Sequence, residues 1–85
     1  MFDIKYSNQS VKFLKNTDKT TFKRISQKIE SLQEKPFMHD TKIIQGYHEK
    51  IYRIRVGDYR ILYEVDYESN ILGIIKIDKR SKAYD

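Results

Sequence analysis

The feature that most constrains this fold is a stretch of alternating apolar and polar residues that one short turn interrupts. The stretch spans residues 51–65 and has the sequence IYRIRVGDYRILYEV. Such alternation is typical of strands with one buried face. Gly57 stands where a two-residue type II′ turn requires a positive φ. The segment therefore predicts a β-hairpin whose loop is Gly57 and Asp58.

The two-residue loop also sets which residues of the hairpin lie opposite each other. Arg55 is expected opposite Arg60, and Arg53 opposite Leu62. One face of the hairpin is apolar or aromatic throughout and is expected to lie under helices; it carries Tyr52, Ile54, Val56, Tyr59, Ile61 and Tyr63. The other face carries Arg53, Arg55, Arg60, Leu62 and Glu64. Like charges directly opposite each other destabilise a sheet, and a polyanion on this face would offset that repulsion.

The rest of the chain predicts one more strand and two helices before the hairpin. Residues 2–6 alternate and predict a short strand. Ser7 is expected to cap the first helix, and Thr17 or Asp18 the second, which ends before Pro36. The second helix has an apolar stripe that is expected to be buried: Phe22, Ile25, Ile29 and Leu32.

After the second helix, residues 36–46 are predicted as a loop, and a further strand begins at residue 71, after a polar turn over 66–70. The order β-α-α-β-β-β predicts an α+β fold, a helical hairpin packed on one face of a mainly antiparallel sheet. The length of 85 residues suits one domain over 1–85.

Composition excludes several classes of protein. The chain has no cysteine, so disulfides and thiolate metal sites are ruled out. His39 and His48 do not have the spacing of metal ligands, and the carboxylates form no recognisable cluster. We therefore expect no metal and no cofactor. No apolar run approaches the roughly 18 residues of a membrane span, and the N-terminus has no signal-peptide core, so a cytoplasmic protein is expected.

The basic residues point to a polyanionic partner. The chain has 17 Lys and Arg against 12 Asp and Glu, a net charge of +5. Arg53, Arg55, Arg60 and Arg80 all lie in the second half of the chain, and Tyr84 follows Arg80. Cations beside an exposed aromatic ring suit a surface that holds phosphates and stacks a base. From these residues alone, a merely solvated face with Glu49 and Glu64 as counter-ions stays open.

The hairpin carries a resemblance to a known family. The segment GYHEKIYRIRVGDYRILYEV, preceded by Lys42, Ile43 and Ile44 and followed by a strand ending in KRSKAY, resembles the RelE-like branch of the RelE/ParE superfamily. The resemblance implies the toxin of a type II toxin–antitoxin system, a ribosome-dependent, metal-independent endoribonuclease that cleaves mRNA in the decoding site. It also implies attack by the ribose 2′-hydroxyl on the adjacent phosphate, and a cognate RelB-like antitoxin, which we expect to be acidic.

By position, the resemblance implies catalytic roles for Arg60, Arg80 and Tyr84 and RNA binding by Arg53 and Arg55. Many relatives have lysines at the positions of Arg53 and Arg55. An arginine cannot act as a general base, so these two residues cannot accept the proton in this chain.

The general base is therefore assigned from the remaining residues. Many relatives have histidine just before the last-strand arginine, where this chain has Lys79, which is a candidate base. Glu64, His48 and Tyr84 are other candidates, although Glu64 also fits the role of a counter-ion.

Two other functions remain as alternatives. One is a ParE-like, non-catalytic toxin that inhibits DNA gyrase by binding, which the retained basic set argues against. The other is an inactive RNA-binding module. A basic helical face is expected to be solvated or to rest on ribosomal RNA: Lys19, Lys23, Arg24 and Lys28.

Overall fold

Two helices pack on one face of a five-stranded sheet in a computed structural model, which describes residues 1–37, 41–44 and 51–79. The elements are β1 (Asp3–Tyr6), α1 (Asn8–Asn16), α2 (Lys19–Glu34), β2 (Lys42–Ile44), β3 (Ile51–Val56), β4 (Tyr59–Asp66) and β5 (Ile71–Lys79). The strand order is β1-β5-β4-β3-β2; β1 is parallel to β5, and the other neighbours are antiparallel. The predicted α+β class is confirmed.

Both helices begin at the kind of residue that the sequence indicated. The Ser7 hydroxyl accepts from the backbone N–H of Ser10 at 3.1 Å. Asp18, rather than Thr17, caps α2, and its carboxylate accepts from the N–H of Thr21 at 3.1 Å. In the parts of the chain that the structure describes, no helix is long and apolar enough to cross a membrane.

The core lies between α2 and the inner face of the sheet. Ile25, Ile29 and Leu32 are buried against it, as the stripe predicted. The prediction was wrong for Phe22, which is 46% exposed. Phe22 lies near the start of α2 and does not pack in the core against the sheet. It lines a shallow surface groove together with Tyr6, Val11, Leu14 and Lys15.

The loop predicted over residues 36–46 contains a short strand, β2, so that prediction was wrong at Lys42–Ile44. Lys42 lies opposite Arg53 on β3. Three residues are too few for alternation to show, and backbone pairing with β3 gives the segment its strand conformation. The order is therefore β-α-α-β-β-β-β.

The strand β5 pairs with β4 along one edge and with β1 and the Gln9 side chain along the other, and these contacts position its side chains at the site. Its register with β4 shifts between Leu62 and Tyr63: Lys76 lies opposite Leu62 and Ile74 opposite Tyr63, which leaves Ile75 as an extra residue. The pairing of β5 with β1 ends at Ile74, opposite Tyr6, and beyond that point the Gln9 side chain bonds to the backbone of β5. Its Nε2 donates to the carbonyl of Ile77 at 2.7 Å, and its Oε1 accepts from the N–H of Ile77 at 2.9 Å.

Candidate nucleic-acid interface

The turn between β3 and β4 has the predicted geometry. Gly57 has φ +59°, whereas Asp58 does not have a positive φ, as a type II′ turn requires. Arg55 lies opposite Arg60, and Arg53 opposite Leu62. The predicted register is confirmed.

The register separates an apolar face from a basic one. Ile54, Ile61 and Tyr63 are completely buried on the helix side. The opposite side of β2–β5, which we call the arginine face, carries Lys42, Arg53, Arg55, Arg60, Leu62, Glu64, Lys76 and Asp78. The guanidinium groups of Arg53, Arg55 and Arg60 lie on neighbouring strands, an arrangement that can bind an extended backbone of phosphates.

One arginine of this face is fixed by a neighbouring carboxylate. Nε of Arg60 donates to Oδ1 of Asp78 at 2.8 Å, and Lys76 Nζ lies 3.5 Å from Oδ2 of the same residue. The side chains of Arg60 and Asp78 are 12% and 24% exposed. Sequence reasoning missed Asp78 and counted it among carboxylates without a defined role. The pairing of β4 with β5 is the signal that identifies it.

Glu64 lies on the arginine face, as predicted, but far from Arg60. The two residues are four apart on β4, which corresponds to about 13 Å. The Glu64 side chain lies over Gly73, where a Cβ would come within 3.2 Å of Glu64 Cγ. Lys5, Glu64 and Gly73 contribute to a shallow depression of about 340 Å³.

Lys79, one of the predicted catalytic residues, is not brought to Arg60. Lys79 lies opposite Tyr59, whose ring packs edge-on against Phe13 of α1 with centroids 5.6 Å apart. The backbone of β5 therefore places Lys79 on the helix side of the sheet. Arg80 and Tyr84 lie outside the described residues, as do both histidines and Glu49. Within 1–37, 41–44 and 51–79, no three histidine or carboxylate side chains converge as metal ligands.

Comparison with known proteins gives one consistent result. The family described as ParE toxin of type II toxin-antitoxin system, parDE, matches residues 4–84. A Methanocaldococcus jannaschii protein named RelE1 is 31% identical over 86 residues, covering 98% of this chain and 94% of that protein. Toxin RelE3 of the same organism is 36% identical over 86 residues, covering 96% and 94%.

A solved structure agrees with these sequence matches. The crystal structure of the archaeal RelE–RelB complex from Pyrococcus horikoshii OT3 superposes with a TM-score of 0.82 at 28% identity, covering 96% of this chain and 98% of that chain. Each match therefore includes the strands of the arginine face as well as the helices. The chain belongs to the RelE/ParE superfamily and is a toxin of a type II toxin–antitoxin system.

Proposed function

We propose that this toxin is a ribosome-dependent endoribonuclease of the RelE type, which cleaves mRNA in the decoding site without a metal ion and so inhibits translation. The observation that carries the proposal is the pairing of Arg55 with Arg60, with Arg53 two residues along β3. This pairing concentrates cations on one face of the sheet, where a strand of RNA would offset their repulsion. The RelE names of the similar archaeal proteins favour the same activity.

In the proposed reaction, the 2′-oxygen of a message nucleotide attacks the adjacent phosphorus. The new O2′–P bond forms as the P–O5′ bond breaks, which leaves a 2′,3′-cyclic phosphate and a free 5′-hydroxyl. A base takes the proton of the 2′-hydroxyl, and the departing O5′ gains a proton. Arg53 and Arg55 hold the backbone, and Arg60, oriented by Asp78, offsets the charge that develops on the phosphate oxygens.

Arg80 and Tyr84 complete the proposed site on the strength of the resemblance. Arg80 is the second cation at the scissile phosphate, and Tyr84 stacks on a base or orients the reacting nucleotide. Changing Arg80→Ala should abolish growth inhibition and message cleavage without changing the melting temperature, as judged by primer extension and thermal unfolding. A folded Arg80→Ala protein that stays fully toxic would overturn this assignment.

The general base remains a proposal with several candidates. Lys79 can serve only if its side chain reaches around the end of β5 from the helix side. A Lys79→Gln variant tests this directly. A large drop in the cleavage rate, with a residual rate that no longer rises with pH, would assign the base to Lys79, whereas unchanged kinetics would leave Glu64, His48 and Tyr84.

An acidic, RelB-like antitoxin is the proposed partner. The net charge of +5 favours an acidic polypeptide, and the similar Pyrococcus structure is that of a RelE–RelB complex. Co-expression of a small acidic protein encoded beside this gene should restore growth. If no neighbouring protein binds or protects, this part of the proposal fails.

The decisive test of the activity is primer extension on a translated message. Cuts should appear only when ribosomes are present, and the products should end in a 2′,3′-cyclic phosphate or its 3′-phosphate hydrolysis product. Sulfur in place of a non-bridging oxygen at the cut site should slow cleavage without rescue by Mn²⁺, because no metal contacts that oxygen. Gyrase inhibition without cuts would favour the ParE-like alternative, and RNA binding with neither effect would favour the inactive module.

A further inference from the structure

The second half of β5 has a neighbouring strand along only one of its edges, among the strands that the structure describes. Pairing with β4 continues to Lys79, whereas pairing with β1 ends at Ile74. The N–H and C=O of one residue in a strand point to the same edge, and those of Ile77 point to the edge where β1 has ended. A side chain of α1, that of Gln9, occupies the place of the missing strand there.

The Gln9 amide offers the same groups as the backbone of a strand. Its Nε2 donates to the carbonyl of Ile77 at 2.7 Å and its Oε1 accepts from the N–H at 2.9 Å, so one side chain satisfies both backbone groups. Immediately before this point, the N–H of Ser7 donates to the carbonyl of Ile74 at 2.9 Å, and the Ser7 hydroxyl donates to the carbonyl of Ile75 at 2.6 Å. The start of α1 therefore holds the extra residue Ile75 and the strand that follows it.

Ile77 stands directly before Asp78, the carboxylate that orients Arg60. The Ile77 side chain is completely buried in the core. Asp78 projects from the opposite face of the sheet, where its Oδ1 accepts from Nε of Arg60 at 2.8 Å. A displacement of the Ile77 backbone would therefore move the Asp78 carboxylate and the Arg60 guanidinium together. Misplacing a reacting group by about 1 Å can cost ~10² in rate.

Gln9 contributes more to the position of β5 than to the stability of the fold. The residue is exposed and lines a shallow depression of about 290 Å³ together with Lys12, Phe13 and Asn16. Water can therefore reach the N–H and C=O of Ile77 when the amide is removed, and can satisfy their hydrogen bonds. Water does not fix the position of a strand, whereas a side chain attached to a packed helix does.

We propose that Gln9 is a positioning residue for the cleavage reaction, which acts through Ile77 and Asp78 to hold Arg60 in the direction that the phosphate requires. This inference rests on the proposed function. Gln9 is 68 residues away from Ile77 in sequence, so the pattern of α1 alone gives no sign of the role.

The test removes the amide and keeps the length of the side chain. Gln9→Met loses both hydrogen bonds to Ile77, and Gln27→Met makes the same change at an exposed position of α2. In Gln9→Met the maximal single-turnover cleavage rate should fall about tenfold, because Arg60 is held less firmly. The half-saturating ribosome concentration should not change, and the melting temperature should stay within about 4 °C of the parent. Gln27→Met should match the parent in all three quantities.

A second measurement requires no cleavage. Hydrogen exchange at Nε of Arg60, followed by NMR, reports the bond to Asp78, and it should become at least about fivefold faster in Gln9→Met but not in Gln27→Met. A third measurement uses the Asp78→Asn protein as background. If Gln9 acts through Asp78, adding Gln9→Met to that background should slow cleavage by no more than about twofold, because the two changes remove the same effect.

Each outcome supports or overturns the inference. Unchanged exchange at Arg60 in Gln9→Met overturns it, whether or not the parent cleaves message. When the parent does cleave, an unchanged maximal rate in Gln9→Met, or an equal loss in the Asp78→Asn background, also overturns it. An Asp18→Ala variant, which loses the cap of α2, controls for stability: if it slows cleavage as much, the role of Gln9 is only structural. If the exchange responds to Gln9→Met but the parent makes no cuts, Gln9 still positions Arg60 and the nuclease proposal falls.

Discussion

Arg60 and Asp78 face each other across β4 and β5, and Nε of Arg60 lies 2.8 Å from Oδ1 of Asp78. Both side chains are largely shielded from water, so the carboxylate fixes the direction of the guanidinium. A cation that is already in place when charge develops costs no reorganisation during the reaction. The same carboxylate also lowers the net positive charge that Arg60 offers to RNA. Asp78 is therefore a positioning residue in the proposed mechanism.

Changing Asp78→Asn should separate these two effects. The amide keeps the shape of the side chain but removes its negative charge, so single-stranded RNA should bind more tightly and with a salt slope steeper by about 0.7. The maximal single-turnover cleavage rate should nevertheless fall about tenfold, because Arg60 is held less firmly. Single-turnover kinetics at several ribosome concentrations measure both quantities. An unchanged maximal rate would show that Asp78 does not position Arg60.

Changing Arg60→Ala should reduce the cleavage rate by about 10²–10³, the usual cost of removing one donor from a transition-state site. It should also destabilise the fold by about 1–2 kcal/mol, because Asp78 loses a charge-assisted hydrogen bond while Lys76 remains near it. The rate is measured by primer extension and the stability by urea unfolding.

Two further variants serve as controls for Arg60→Ala. Arg60→Lys keeps a charge without the guanidinium fork and should give an intermediate rate. Arg60→Ala combined with Asp78→Ala should recover stability but not cleavage. If the double variant also recovers cleavage, the loss was one of folding, and Arg60 has no catalytic role.

Changing Gly57→Ala should destabilise the protein by about 1–2 kcal/mol, because φ is +59° at this position and an L side chain is strained there. The new Cβ would also lie 2.8 Å from Arg24 Nη2, although that flexible side chain can move away. Gly73→Ala is the matched control, since its φ is not left-handed and only Glu64 must shift. Chemical denaturation should rank the two changes in this order. Equal losses, or full recovery when Arg24→Ala is added to Gly57→Ala, would assign the cost to packing rather than to the turn.

The N-cap of α2 should make stability depend on pH. Hydrogen bonds from the Thr21 hydroxyl and then from its backbone N–H hold the pKa of Asp18 below its ordinary value of 3.8. Because the pKa of Asp18 is lower in the folded state, the ionised carboxylate stabilises the fold at a pH above the unfolded-state pKa. This stabilisation is lost as the pH falls through the folded-state pKa. Thermal unfolding between about pH 5 and pH 2 should therefore show a smaller acid-induced decrease for Asp18→Asn, which still caps the helix, than for the parent. Parallel curves for the two proteins would contradict this prediction.

Local patterns in the sequence were sufficient to predict the register of the β3–β4 hairpin and the ends of the helices. Gly57 dictates the turn through its own backbone freedom, and a two-residue loop leaves a single register, so the opposition of Arg55 and Arg60 followed without tertiary information. Ser7 and Asp18 act on N–H groups three residues away, and Pro36 follows directly after the Lys35 cap that ends α2. These interactions are short in sequence, so composition and spacing reveal them.

The partners of β5 were decided only by the tertiary structure. Unbroken alternation from Leu72 and Ile74 would have turned Lys79 toward the arginine face. The extra residue Ile75 reverses that alternation, so Ile77 is buried, Asp78 reaches Arg60, and Lys79 lies on the helix side. The extra residue is accommodated by pairing with β4 and by the side chain of Gln9, which is 68 residues from Ile77 in sequence, so the pattern of β5 alone does not encode it.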